Sequence, residues 1–217
     1  LFPYTTLFRS GELVFNTAMS GYQEVVTDPS YRGQLVVMTA PQIGNVGWNA
    51  DDMEALRPGA FGLVVRDLSP VVSNWRSTVS LEDAMARAGV PGISGVDTRA
   101  LTRRLRDQGA LPAVLSFTSD LSDAALIDAA RAEGSMEGRD LVSDVTCATP
   151  TPFTEGSVVM PDTPHGKAGP TAPRLAPDDT RRLGGGRHVV VYDFGVKRNI
   201  LRELVDLGFR VTTVPAT

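Results

Sequence analysis

The chain has 217 residues, of which 42% are hydrophobic and 21% are charged, a balance that is typical of a folded globular protein. Its formal net charge is −4, so it lacks the excess of Lys and Arg that attracts nucleic acid or an anionic membrane. We therefore expect neither nucleic acid nor a membrane among its partners. The single cysteine cannot form an internal disulfide, and with only two histidines we expect no Cys/His zinc site. This composition favours a reducing cytoplasm.

The first ten residues, LFPYTTLFRS, begin without Met and lack the charged, apolar and small-residue zones of a secretory signal. No apolar run elsewhere approaches the roughly 20 residues that span a bilayer. We interpret residues 1–10 as a foreign or mistranslated segment and exclude them from the predicted fold.

Residues 11–146 alternate short β-type runs with helical runs, a pattern that predicts a mixed α/β domain. The predicted strands are residues 12–16, 34–39, 62–66, 92–96 and 113–117. Three predicted helices each begin after a side chain that can accept a hydrogen bond from a free backbone N–H, and each stops at a glycine. These capping residues are Ser80, Asp97 and Ser122. In the second helix, residues 98–108, the spacing predicts that Leu101 and Leu105 face inward.

Residues 148–187 differ from the rest of the chain, because they contain seven prolines, six glycines and few large apolar residues. Such a segment buries too little apolar surface to offset the entropy of ordering its backbone. We predict an interdomain linker here, with one strand near residues 157–160.

A β-rich run, HVVVYDFG, begins at His188, and a helical segment and a second β-type run, RVTTVP, follow it. This order predicts a βαβ unit, whose apolar strands imply a parallel sheet covered on both faces. Two strands and one helix cannot cover both faces. We therefore expect the start of a second α/β domain that is truncated at residue 217.

Residues 20–47, SGYQEVVTDPSYRGQLVVMTAPQIGNVG, have a density of small, polar and turn-forming side chains that is typical of a site. A buried strand at residues 34–39 has a loop at each end, and such loops present hydroxyls and amides to a ligand. The residue types of 27–30 favour a turn in their own right. The hydroxyl of Ser30 in this turn can also donate to a ligand carboxylate.

This stretch resembles the N-terminal domain of the small subunit of glutamine-dependent carbamoyl-phosphate synthetases. A second run, YDFGVKRNILR at residues 192–202, resembles the opening of the class I glutamine amidotransferase domain in the same family. The resemblance covers residues 11–146 and 188–216. It implies the α/β fold class, with a mixed α/β, swivelling-type β/β/α N-terminal domain at residues 11–147 and a linker at 148–187. The truncated start of a doubly wound, parallel-sheet amidotransferase domain then occupies residues 188–217.

The resemblance implies a small subunit that hydrolyses glutamine to glutamate and ammonia. Its partner would be a large subunit that uses this ammonia, bicarbonate and two ATP to make carbamoyl phosphate for arginine and pyrimidine biosynthesis. ATP and Mg²⁺ act on the large subunit, so we expect no cofactor or metal site in this chain. The resemblance also implies that Ser30 contacts the glutamine substrate.

Class I amidotransferases use a cysteine on a glycine-flanked strand-to-helix turn, with a histidine that activates it. Cys147 has neither a glycine elbow nor a nearby histidine in sequence. His165 lies in the predicted linker, and His188 begins a strand. We therefore expect no catalytic residue in this chain and no glutamine hydrolysis by this chain alone.

Two alternative functions remain open. The helix at residues 98–108 carries several arginines, which are typical of a solvated face but also fit a module that only docks the large subunit: Arg99, Arg103, Arg104 and Arg106. Residues 193–195 follow a strand, as in Rossmann-like nucleotide binders, although neither G-x-G-x-x-G nor a P-loop is present. Asn45, Asn16 and Thr17 are further polar candidates, for which loop-stabilising hydrogen bonds are the simpler interpretation.

Overall fold

The computed structural model describes residues 8–117, 121–158 and 183–216. The chain divides into two compact units, Leu1–Asp144 and Val145–Thr217. This division lies close to the domain end predicted at residue 147. None of the helices in the described part of the chain combines the length and the apolar character needed to cross a bilayer.

The first unit contains seven strands and four complete helices among its described residues, and a fifth helix lies at the division between the units. In chain order the strands are β1 (Phe8–Asn16), β2 (Gln34–Met38), β3 (Gln42–Ile43), β4 (Gly62–Val64), β5 (Asp67–Leu68), β6 (Gly92–Ile93) and β7 (Leu111–Ser116). The helices are α1 (Tyr22–Thr27), α2 (Leu81–Ala88), α3 (Thr98–Gln108), α4 (Asp123–Glu133) and α5 (Val142–Val145), and a 3-10 turn (Pro29–Tyr31) follows α1.

Five strands of the first unit form one sheet in the order β6-β4-β2-β1-β7. The first four of these pair in parallel, whereas β7 runs antiparallel to β1. A small parallel pair, β3 with β5, lies outside this sheet and was not predicted. The α/β prediction is confirmed, and the one antiparallel edge makes the sheet mixed.

Strand β2 is the centre of the core, which explains its continuous apolar sequence. Val36 and Met38 belong to one buried cluster, together with residues of α1 and α2. Leu35 and Val37 belong to a second cluster, which includes Leu105 of α3. Because neighbouring side chains of a strand point to opposite faces, β2 is buried on both faces and cannot show an alternating polar pattern.

The three predicted helix starts are confirmed. The hydroxyls of Ser80 and Ser122 accept the backbone N–H groups of Asp83 and Ala125. The carboxylate of Asp97 accepts the N–H of Ala100 in the same way. Each bond satisfies one of the free donors that every helix leaves at its amino end.

Strand β1 begins earlier than predicted. Residues 8–10 were excluded from the predicted fold, but Phe8 pairs with Ser116 and Ser10 with Val114 in the ladder between β1 and β7. The exclusion was therefore wrong for residues 8–10. The partner strand that supplies the backbone hydrogen bonds of residues 8–10 lies about a hundred positions away, so the local sequence cannot show that these residues form a strand.

The second unit contains β8 (Thr151–Phe153), β9 (His188–Asp193), α6 (Arg198–Asp206) and β10 (Arg210–Pro215). Its sheet has the order β8-β10-β9, with β9 and β10 parallel and β8 antiparallel to β10. The predicted βαβ unit is therefore confirmed.

Two details of the second unit differ from the predictions. Strand β8 lies inside the predicted linker, because the hydrogen-bonding edge of β10 orders it. The predicted strand near 157–160 is not found at residues 157–158, and residues 159–160 lie outside the described residues. Val190 and Tyr192 of β9 are exposed, in keeping with the expectation that one helix cannot cover both faces of this sheet.

Candidate functional site

Ser30 lies in the 3-10 turn between α1 and β2, where it is exposed while the residues before it are buried. The carboxylate of Asp28 accepts the backbone N–H of Ser30, with 2.9 Å between Oδ1 and N. The carbonyl of Asp28 accepts the N–H of Tyr31 at 3.1 Å. No described residue forms a hydrogen bond with the Ser30 hydroxyl, so a rigid turn presents this hydroxyl to solvent.

Thr27 links the Ser30 turn to the rest of the first unit. Its side chain is fully buried, and its hydroxyl donates to the carbonyl of Gln23 at 2.9 Å. The same oxygen accepts the backbone N–H of Glu54 at 2.9 Å. Because the buried Thr27 hydroxyl both donates and accepts a hydrogen bond, it joins α1 and the Ser30 turn to the segment at residues 49–60.

Gly59 lies directly against the backbone of the Ser30 turn. A Cβ at this position would be 2.0 Å from the carbonyl oxygen of Asp28 and 2.9 Å from the Cα of Pro29. The N–H of Gly59 also donates to the carbonyl of Val26 at 3.0 Å. The turn can therefore take its position only beside a residue without a side chain. Gly59 was not predicted as part of the site, although the Pro58-Gly59 pair is a recognisable turn signal.

Arg32 holds the other side of the turn. Its Nε lies 3.1 Å from Oδ2 of Asp144, and its guanidinium carbon lies 4.8 Å from the centre of the Phe61 ring. Its backbone N–H donates to the carbonyl of Pro29 at 3.0 Å. The sequence offers no signal for this pairing, because Asp144 lies 112 positions from Arg32.

The remaining polar candidates of the sequence analysis have separate environments. The side-chain amide of Asn16 donates to the hydroxyl of Tyr31 at 2.9 Å, and its oxygen accepts the N–H of Ala18 at 2.7 Å. Thr17 and Asn45 are exposed. Asn16 therefore stabilises the loops around the turn.

Glu24 of α1 lies close to other acidic side chains. Burial raises the pKa of Glu24, and the negative charges of Asp52 and Glu54 raise it further, whereas Arg76 opposes the shift. Arg76 is itself engaged, because its Nη2 lies 2.7 Å from Oδ1 of Asp52. Within the described residues, no group of three or more His, Cys, Asp or Glu side chains is arranged to hold a metal ion.

Cys147 lies in the second unit, where its backbone N–H donates to Oδ2 of Asp193 at 2.8 Å. Burial raises the pKa of its thiol, and the negative charge of Asp193 raises it further. A thiol held in its protonated form is a poor nucleophile. His188 contacts the hydroxyl of Thr212 at 2.9 Å and is exposed, whereas His165 lies outside the described residues.

The two alternative functions depend on two separate sets of residues, the turn at residues 193–195 and the arginines of α3. Oδ1 of Asp193 accepts the N–H groups of Gly195 and Val196 at 3.0 Å, so this carboxylate stabilises its own turn. On α3, Arg104 donates to Gln108 and Arg106 pairs with Asp107. Two further arginines of α3 are exposed and have no ion-pair partner among the described residues: Arg99 and Arg103.

Together, the fold and the site define an α/β protein with two units. The first unit has a mixed sheet and presents one serine on a rigid turn. The second unit opens as a parallel βαβ unit.

Comparison with known proteins identifies the family. The model of the carbamoyl-phosphate synthase small chain, CPSase domain, matches residues 4–115. The chain is 47% identical over 208 residues to the carbamoyl phosphate synthase small chain of Syntrophotalea carbinolica, an alignment that covers 96% of this chain and 51% of that protein. It is 44% identical over 206 residues to the chloroplastic small chain of Oryza sativa subsp. japonica, covering 95% of this chain and 43% of that protein. The chain belongs to the carbamoyl-phosphate synthase small chain family.

The matches cover about half of each relative, and the family match begins earlier in the chain than predicted. The chain spans about half the length of the curated relatives it matches. The family match begins at residue 4, whereas the resemblance was predicted to begin at Gly11. The second unit lies outside the matched domain but inside the alignments with the relatives, which cover about 95% of the chain.

Proposed function

We propose that this chain forms part of the small subunit of a glutamine-hydrolysing carbamoyl-phosphate synthase and that its first unit contributes Ser30 to glutamine binding. Family membership supports the activity. The exposed hydroxyl of Ser30, which no described residue engages on a turn fixed by Asp28 and Gly59, supports the residue assignment. A hydroxyl in this position can donate to the carboxylate of an amino acid, and a charged acceptor strengthens that bond.

In this proposal the subunit hydrolyses glutamine to glutamate and ammonia. A large subunit combines the ammonia with bicarbonate and two ATP to form carbamoyl phosphate, and the product enters arginine and pyrimidine biosynthesis. The large subunit holds ATP and Mg²⁺. The two subunits form a heterodimer in the cytoplasm. The presence of a single cysteine favours this reducing compartment. The role of the described residues is to bind and orient glutamine.

The proposal is tested with Ser30→Ala in the intact synthase that contains this chain. Loss of a hydrogen bond to a charged group costs about 1.5–3 kcal/mol, so KM for glutamine should rise about tenfold or more. Synthesis from free ammonia should stay unchanged, because it does not use the glutamine contact. Ser94→Ala is the matched control, since Ser94 is also exposed and no described residue bonds to its hydroxyl. Equal loss of the glutamine-dependent and the ammonia-dependent rates would contradict a glutamine contact.

A second candidate function is that this part of the protein only docks the large subunit. The exposed arginines on α3 favour it, because Arg99 and Arg103 have no ion-pair partner among the described residues. An acidic surface would complement such a helix. In a pull-down, Arg103→Glu/Arg104→Glu should weaken capture of the large subunit. Arg66→Glu/Arg131→Glu changes the charge equally at other exposed sites and should not. Capture that neither pair weakens would remove the α3 arginines from the interface.

A further inference from the structure

A cavity of about 560 Å³ lies in the first unit, at the ends of the strands where the chain enters the parallel sheet. Its walls include Arg32, which precedes β2, and Phe61, which precedes β4. Val90, which precedes β6, also lines the cavity. A volume of this size is within the range of about 300–1,000 Å³ that small-molecule sites occupy.

The cavity is lined by three arginines and by no acidic side chain: Arg9, Arg32 and Arg57. They come from β1, from the segment before β2 and from the loop before β4, so only the fold brings them together. Arg32 is paired with Asp144, whereas no described acidic group pairs with Arg9 or Arg57, so an anionic ligand would compensate these two charges. This concentration of positive charge contrasts with the formal net charge of −4 of the whole chain.

The three arginines differ in how they are held. Arg32 is fixed by its contacts with Asp144 and Phe61, so little conformational freedom remains to be lost on binding. The guanidinium groups of Arg9 and Arg57 form no hydrogen bond or ion pair with any described residue. Their guanidinium donors therefore remain available for a ligand.

Apolar side chains also line the cavity. Leu56 is largely exposed to solvent there, and the ring of Phe61 and the buried side chain of Val90 contribute further apolar surface. A ligand that matches this lining carries an anionic group and an apolar or ring-containing part. A phosphate dianion matches three guanidiniums better than the single charge of a carboxylate, because it offers more acceptors and more charge.

We propose that this cavity binds a small phosphorylated molecule, with its phosphate held by Arg9, Arg32 and Arg57 and its apolar part against Leu56 and Val90. Arg32 borders both this cavity and the Ser30 turn, but the proposed phosphate contacts do not include Ser30. The ligand of the cavity does not need to take part in glutamine hydrolysis.

The test is a titration of the 217-residue chain with inorganic pyrophosphate, monitored through the side-chain Nε–H signals of ¹⁵N-labelled arginine. The signals of Arg9, Arg32 and Arg57 should shift and saturate, whereas those of Arg99 and Arg103 should not. Added NaCl should weaken binding, because salt screens the charges. A parallel titration with succinate presents carboxylates to the same groups and should give weaker binding.

Variants locate the site. Loss of one charge-assisted contact is expected to weaken pyrophosphate binding about tenfold, so Arg57→Gln should show this loss. Arg57 is exposed in a loop and has no described partner, so the backbone amide spectrum should show that the fold is retained. Arg103→Gln is the matched control and should bind as the original chain does. The proposal is overturned by equal losses in the two variants, by unsaturable shifts of all exposed arginines, or by tighter binding of succinate than of pyrophosphate.

Discussion

The phenolic oxygen of Tyr22 accepts the backbone N–H of Gly47 at 2.9 Å, across 25 positions of sequence. The same oxygen accepts the N–H of Val46 at 2.6 Å. Tyr22 begins α1 and Gly47 ends the loop beyond β3, so one buried hydroxyl joins the two ends of the stretch that contains Ser30. The turn around Ser30 is therefore part of a closed, internally bonded segment.

Tyr22→Phe removes this connection without changing the packing of the ring. The N–H of Val46 then loses its acceptor, whereas the N–H of Gly47 keeps the carbonyl of Gly44 at 3.1 Å. A buried unsatisfied donor costs about 1–3 kcal/mol. We expect the free energy of unfolding of the first unit to fall by this amount in urea denaturation. Tyr192→Phe, at an exposed tyrosine, should change stability by less than about 0.5 kcal/mol. Equal effects of the two substitutions would show that the Tyr22 hydroxyl contributes nothing specific.

Gly59→Ala tests the close approach of the loop before β4 to the Ser30 turn. The new Cβ would overlap the backbone of Asp28 and Pro29, and backbone cannot rotate away as a side chain can. We expect a loss of stability of about 3 kcal/mol or more, as for a severe local clash, and a higher KM for glutamine in the intact synthase.

The control for this substitution is Gly138→Ala. Gly138 has a φ of +78° and no atom within 4 Å of an added Cβ, so alanine there introduces only backbone strain, about 1–2 kcal/mol. A Gly59→Ala effect no larger than the Gly138→Ala effect would argue against the overlap.

Asp28→Ala tests how the Ser30 hydroxyl is positioned. The substitution removes the acceptor of the Ser30 N–H, and loss of such a capping bond costs about 0.5–2 kcal/mol. KM for glutamine should rise while ammonia-dependent synthesis is retained, because the Ser30 turn is proposed to contact glutamine only. Asp28→Asn keeps an oxygen at the same place and should restore most of the glutamine affinity. Failure of Asn to do better than Ala would contradict the positioning role.

Glu24→Gln tests the pH dependence of stability. Burial raises the pKa of Glu24 in the folded state, so its contribution to stability is present below the unfolded pKa of about 4.3. That contribution is lost as the pH rises through the folded pKa, because the buried carboxylate then becomes charged. We therefore expect Glu24→Gln to raise the free energy of unfolding at pH 7 and to lose this advantage below about pH 4.

Glu137→Gln is the control for this pH series, because Glu137 is exposed. Urea denaturation between pH 3.5 and 8 should give parallel curves for this control and the original chain, in keeping with the small effects of surface changes, within about 0.5 kcal/mol. A Glu24→Gln curve that runs parallel to the original over the same range would show that Glu24 titrates alike in the folded and unfolded states.

Structural elements that are set by residues close together in sequence were predictable from the sequence. Ser80, Asp97 and Ser122 accept hydrogen bonds from donors only three positions away, so residue type and spacing identified all three helix starts. The start of β1 and the position of β8 were not predictable, because each depends on the edge of a distant strand. The family was also visible in short runs of sequence, whereas the assignment of Ser30 stays a prediction.

The sequence by itself determined the α/β class, the helix caps, the buried character of β2 and the resemblance to carbamoyl-phosphate synthase small chains. All of these follow from local spacing and local chemistry. Only the tertiary structure decided that Gly59 lies against the Ser30 turn, that Arg32 meets Asp144, and that three arginines line one cavity. These contacts join residues separated by tens of positions or more, and chain folding rather than local preference brings them together.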